Sequence, residues 1–163
     1  MKVTDKYVLF WGSVFSNFAK TEYVSHDGIT FKCSEQEFMY RKAIHFGDRA
    51  VADEILLAEK PARIKALGRK VANFDGAEWE RVRAEYMYQA CLAKFSQCAK
   101  ARRAILKYPD QHFVEASPYD TIWGIGLGED DPRANDPTQW RGRNLLGQTL
   151  DRVRETILSE LNG

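Results

Sequence analysis

Cysteine is scarce and unpatterned. Cys33, Cys91 and Cys98 are odd in number and form no C-x-x-C pair. That excludes a disulfide frame or a zinc ribbon and points to reduced thiols in a cytoplasmic protein. His26, His45 and His112 are scattered with no H-E-x-x-H spacing, so no metal site is expected. No charge of one sign dominates. A formal net charge of +1 gives no overall pull toward nucleic acid or an anionic membrane, and leaves only a local basic patch open. No apolar run is long enough to span a bilayer or to serve as an N-terminal leader. Internal repeats and low-complexity tracts are absent too. What remains is a chain of 163 residues, 44% hydrophobic and 12% aromatic, enough for one packed, soluble domain.

Residues 8–10 and 29–32 read as short strands, with His26-Asp27-Gly28 as a hairpin turn beside the second. Ser34-Glu35-Gln36-Glu37 reads as a capping box, Ser34 at the N-cap and Glu37 at N3, opening a helix that ends near Gly47. Further helices are expected over 48–58, over 61–71 with Pro61 at the first position, over 78–97 and over 99–107. Residues 112–115 form a strand and 129–139 a polar loop. Asn144 caps a last helix with Leu146, Leu150, Val153, Ile157 and Leu161 turned inward. The predicted fold is mainly α: a single helical globular domain over 1–163 with a small N-terminal β element.

Three places can carry chemistry. In residues 115–128, Asp120 and Trp123 stand among Gly124, Gly126 and Gly128. Glycines permit tight turns and close approach to a ligand, an indole stacks on a flat ring, and a carboxylate binds hydroxyls or moves protons. The plainer reading is a buried Trp in a turn capped by Asp. On the first helix Glu35, Phe38, Met39 and Lys42 share a face, with Glu35 and Lys42 about 10 Å apart along the axis. They can flank a small ligand. They can equally be a dipole-favoured acid, a snorkelling lysine and two core residues. Trp79 and Tyr86, seven residues apart, read as core before they read as a stacking platform. Arg141, Arg143 and Asn144 precede a helix start, where free N–H groups favour a phosphate. An ordinary cap with solvated arginines is the alternative.

The chain resembles the YbiA-like family, also called NADAR. The resemblance rests on Phe15-Ser16-Asn17-Phe18, Ser34-Glu35-Gln36 through Lys42-Ala43, Trp79, Ala93-Lys94-Phe95, Tyr119-Asp120, Trp123-Gly124 and Gly142-Arg143-Asn144-Leu145-Leu146-Gly147. No single motif is specific, but the ordered set is, and it covers residues 8–158. It implies a mainly helical fold and hydrolysis of the C–N bond between a ribose and a base-like amine. One branch of the family takes ribosylaminopyrimidine phosphates of riboflavin synthesis, and the other removes ADP-ribose from guanine in nucleic acid. The resemblance places catalytic roles on Glu35, Lys42 and Asp120. It places substrate contacts on Asn17, Phe18, Trp79, Trp123, Gly124, Arg141, Arg143 and Asn144. Gln36-Glu37 stand where relatives often have histidine and an aromatic, and the 129–139 loop is longer than in compact riboflavin-branch members.

Ribosyl C–N cleavage builds positive charge at C1. A carboxylate, Glu35 or Asp120, can stabilise it or activate water. Alternatively, Lys42 can attack C1 and form a Schiff base if burial lowers its pKa. No metal or redox cofactor is required by either route. The alternative function is a non-catalytic module that binds ADP-ribose or a nucleotide and has no use for Glu35.

Overall fold

Two short strands, β1 (Lys2–Val3) and β2 (Tyr7–Phe10), begin the chain in a computed structural model that describes residues 1–163. They pair antiparallel, with Lys2 opposite Leu9. The hairpin strands β3 (Tyr23–Val24) and β4 (Thr30–Phe31) follow, and then the helices α1 (Ser34–His45), α2 (Arg49–Leu57), α3 (Pro61–Gly68), α4 (Gly76–Gln97) and α5 (Ala99–Leu106). After β5 (His112–Glu115) and two 3-10 turns, Pro132–Asn135 and Pro137–Gln139, α6 (Leu145–Asn162) ends the fold. The architecture is mainly helical, as the periodicity indicates. Contacts divide the chain into a discontinuous unit, residues 1–16 with 99–163, and a continuous unit, residues 17–98.

In the discontinuous unit β5 lies parallel to β2, with Tyr7 opposite His112 and Phe10 opposite Glu115. The β element is therefore not purely N-terminal. Leu9, Val114, Ala116, Ile125, Leu127 and Ala134 form one buried cluster, with Trp140 packed against it. α6 packs on β5 and α5. Its Leu146, Leu150, Val153 and Ile157 are buried, whereas Leu161, expected inward, is exposed. Leu161 falls in the last turn of α6. Arg154 is buried on the same helix: its guanidinium donates to the carbonyls of Tyr108 and Gln111 and lies 5.2 Å from the centre of the Phe113 ring. Those bonds compensate a charge that a helical wheel would place in water.

In the continuous unit α1 packs against α2, α3, α4 and β4. Seven consecutive residues, Ser34 through Tyr40, are buried, so this helix start is covered on every side. The N-cap of α2 is Asp48, which accepts from Val51 N at 3.1 Å, and that of α4 is Asp75, which accepts from Ala77 and Glu78. Pro61 sits at the start of α3, as its missing N–H favours. The capping box does not form. Cys33 occupies the N-cap with no side-chain bond, and Ser34 is already helical. Ser34 Oγ donates instead to Asn17 Oδ1 at 2.9 Å. Glu37 accepts from the Tyr23 hydroxyl at 2.9 Å and from Arg41 Nε at 3.1 Å. Tertiary partners have outcompeted the local cap.

Candidate active site

Asn17 latches the start of α1. Its carbonyl accepts from Glu35 N at 3.0 Å while its amide oxygen holds Ser34. This fixes Glu35, second residue of the helix, with 8% of its surface exposed. Lys42 lies two turns on and is half-buried. Desolvation lowers its pKa below the ordinary lysine value, the Glu35 charge pushes it back up, and the Arg69 cation lowers it again; desolvation prevails. The carboxylate and the amine are thus electrostatically coupled on one helix. Lys42 Nζ lies 4.6 Å from the centre of the Phe74 ring. Phe18 is 40% exposed, with Lys65 Nζ 5.8 Å from its ring centre.

Trp79 is buried by the protein's own aromatics. Its ring lies 5.1 Å from Phe38 and 6.2 Å from Phe46, and stacks on Tyr86 at 5.8 Å with planes 26° apart. Trp79 is core, as the spacing first reads, and the ring it stacks with is the protein's own Tyr86. Beside Tyr86 a groove of about 670 Å³ is lined by His26, Glu37, Arg41, Arg81 and Gln89. Its cations are engaged by neighbours, Arg41 with Asp27 and Glu37, and Arg81 with Glu78. Lys94 was legible only as part of a motif. It is fully buried, and desolvation lowers its pKa to about 8 against the opposing effect of Cys91, Cys33 and Cys98.

The discontinuous unit carries the other candidates. Asp120 Oδ1 accepts from Ile122 N at 2.9 Å and Trp123 N at 2.8 Å, closing a turn as a cap does. Trp123 is half-buried. Residues 115–126 and 141–146 are laced together by backbone. Arg141 N donates to Ile125 O at 2.9 Å, Arg143 N to Thr121 O at 2.9 Å and Asn144 N to Gly124 O at 3.1 Å. Leu145 N and Leu146 N reach Ile122 O at 3.2 Å and Trp123 O at 3.1 Å. The helix start expected to cradle phosphate thus has its Asn144, Leu145 and Leu146 amides already paired with carbonyls. Asn144 gives α6 no side-chain cap. Its backbone is left-handed, at φ 53°, and its amide accepts from Glu115 N and donates to Phe113 O, each at 3.0 Å. Arg141 and Arg143 remain exposed and are what this segment offers an anion.

The glycines serve this lacing. A Cβ on Gly142 would sit 2.2 Å from Gly124 O, and one on Gly147 2.0 Å from Phe113 O. The close approach anticipated for a ligand is made by the protein's own backbone. Sequence reasoning also missed an aromatic pair. Trp11 and Tyr119 follow the parallel strands β2 and β5, are 55% and 84% exposed, and hold their ring centres 5.8 Å apart. No group of three or more His, Cys, Asp or Glu side chains is placed to hold a metal, and no helix is long and apolar enough to cross a membrane.

The family model of the NADAR domain matches residues 6–158. The chain belongs to the NADAR family. Protein irg-1 of Caenorhabditis elegans is 43% identical over 143 residues, which are 86% of this chain and 68% of that protein. N-glycosidase R617 of Acanthamoeba polyphaga mimivirus is 34% identical over 164 residues, covering 93% of this chain and 96% of its own. N-glycosidase YbiA of Escherichia coli K12 is 31% identical over 146 residues, 90% of this chain and 82% of its own. The NMR structure of E. coli YbiA superposes with a TM-score of 0.79 at 28% identity, covering 98% of this chain and 89% of that one. The NADAR fold of this chain is thus the YbiA-like one.

Proposed function

We propose that this chain is an N-glycosidase that hydrolyses the bond between C1 of a phosphoribose or ADP-ribose and a base-like amine. The observation that carries the reading is the Glu35–Lys42 pair. A carboxylate fixed at a helix start acts on a lysine whose amine is made more available by desolvation. Membership of a family whose relatives bear the name N-glycosidase supports it.

In the reading we favour, the neutral Lys42 amine attacks C1 and the base departs with a proton. The ring-opened sugar is left as an imine on Lys42. Glu35 stabilises the positive charge that develops at C1 and then directs water to the imine carbon. Hydrolysis of the imine releases the sugar and restores the amine. The net reaction consumes one water, and electrons balance without a redox partner. Asp120, Trp123, Arg141 and Arg143 are assigned to substrate binding, Asp120 also as a second carboxylate. Asn17 acts by seating Glu35. The exposed Trp11–Tyr119 pair favours the ADP-ribosylated guanine branch, because a nucleic acid strand stacks further bases on open rings and a lone pyrimidine phosphate does not need them.

The test gives the purified protein a ribosylaminopyrimidine phosphate and an ADP-ribosylated guanine oligonucleotide in parallel. Free base and free sugar are followed by chromatography, with borohydride added during turnover. Base release from the oligonucleotide and a sugar adduct on the Lys42 peptide are expected. Tight binding of both compounds without release would establish the non-catalytic module instead.

A further inference from the structure

His45, the last residue of α1, uses both ring nitrogens. Nδ1 lies 2.7 Å from the Tyr86 hydroxyl and Nε2 lies 2.8 Å from Glu78 Oε1. Glu78 is also gripped by Arg81, from Nε at 3.0 Å and Nη2 at 2.7 Å. These donors, Arg81 foremost, lower the Glu78 pKa to about 2, so the group is an ionised acceptor at neutral pH. Nε2 therefore carries a proton toward Glu78. In the neutral ring Nδ1 is then an acceptor for the Tyr86 hydroxyl. The imidazole at the end of α1 is thus fixed at two points along α4, more than a histidine at a helix end needs.

What this tie fixes is aromatic. Tyr86 stacks on Trp79, and the His45 ring itself meets Phe46 edge-on, 5.2 Å away at 81°. Phe46 contacts Trp79 and, at 5.4 Å, Phe74, whose ring lies under Lys42 Nζ. Two routes thus run from His45 to one stack, and that stack ends at the candidate nucleophile. We infer that the Glu78–His45–Tyr86 chain is a positioning device for the N-glycosidase reaction, setting the aromatic stack that seats Trp79 and Lys42. The inference rests on the reading of Lys42 given above. None of the three residues needs to touch substrate.

The experiment compares His45→Ala, Tyr86→Phe, Glu78→Ala and Glu78→Gln with the parent on the ADP-ribosylated guanine oligonucleotide and the ribosylaminopyrimidine phosphate, well below every variant's melting temperature. His45→Ala and Glu78→Ala are expected to lower kcat about tenfold or more while KM stays within about threefold, since a small misplacement of a reacting group is costly. Tyr86→Phe keeps the stack but loses the tie and falls between. Glu78→Gln still offers Nε2 an acceptor and should retain most of the parent kcat. A parent-like kcat in folded His45→Ala, or equal loss in Glu78→Gln and Glu78→Ala, overturns the inference. The second readout is independent of turnover: the ¹⁹F resonance of 5-fluorotryptophan at Trp79, assigned with Trp79→Phe. It should shift or broaden in His45→Ala and stay near the parent position in Glu78→Gln; an unmoved resonance in His45→Ala overturns the device. If the parent releases no base from either substrate, the N-glycosidase reading fails while this resonance still judges the device.

Discussion

Around α1, side chains grip side chains: Glu37 holds Tyr23 and Arg41, Asn17 holds Ser34, and His45 holds Tyr86 and Glu78. Within residues 115–126 and 141–147 backbone grips backbone, through seven bonds, and Gly124, Gly126, Gly142 and Gly147 leave no space there for a side chain. The first region can change its chemistry by exchanging one group for another of the same shape. The second offers little such freedom, because its contacts are the chain itself. A residue's importance in the first region is thus read from what its side chain does, and in the second from what its absence of a side chain permits.

Breaking the second region should give the largest effect. Gly147→Ala and Gly142→Ala drive a Cβ into carbonyl oxygens that are themselves bonded. Each is expected to cost about 3 kcal/mol or more, enough to lose much of the folded protein. Gly128→Ala meets nothing within 4 Å and should stay within about 0.5 kcal/mol. Urea unfolding measures all three, and a stable Gly147→Ala would show that the lacing yields. In the first region the expected damage is to rate. Glu35→Gln keeps the shape of the side chain and should lower turnover about a hundredfold or more, with the melting temperature within about 5 °C of the parent. Equal activity in a folded variant removes Glu35 from the mechanism.

A gentler probe of the same region is the pH profile. The attack proposed for Lys42 requires its neutral amine, so that reading has turnover rise with pH through the lowered pKa. The Arg69 cation contributes to that lowering. Arg69→Gln therefore raises the Lys42 pKa, leaves less free amine at neutral pH, and moves the acidic limb of the profile to higher pH. A limb that stays in place separates the rate from Lys42 titration. The smallest effect is expected at the exposed rings. Trp11→Ala with Tyr119→Ala should weaken oligonucleotide turnover by a factor of about ten, from roughly 1–3 kcal/mol of stacking per base. Turnover of the ribosylaminopyrimidine phosphate should be unchanged, and a loss on both substrates would assign the pair to the fold instead.

Helices were legible because their signals are local: Pro61 at a first turn, Gly47 after α1 at φ 76°, and the 3.6-residue spacing of Leu146, Leu150, Val153 and Ile157. The strand over 112–115 was legible too, but not its parallel partner, since pairing is made by backbone groups that carry no residue identity. Polar residues were misread where a distant group outbid a near one. Ser34 and Asn144 look like caps, and each spends its side chain on another segment. Arg154 and Lys94 look like surface and are buried. At the candidate site, Glu35 and Lys42 could be named from helix spacing and family order. The network at His45 could not, because it joins residues of α1 and α4 that no single periodicity connects.

The parallel pairing of β2 with β5 also sets an order of events. Residues 17–98 are contiguous and leave the ribosome together, so that unit can complete its contacts while β5 is still unsynthesised. β2 is made first and waits, its edge toward β5 unpaired, until more than two thirds of the chain has emerged and Tyr7 can meet His112. Closing so long a loop adds little to the entropy of the finished fold but much to the time needed to reach it. During that interval the nascent chain carries an exposed apolar strand, Tyr7–Phe10. The risk of wrong pairing is therefore concentrated in translation, before any substrate can be met.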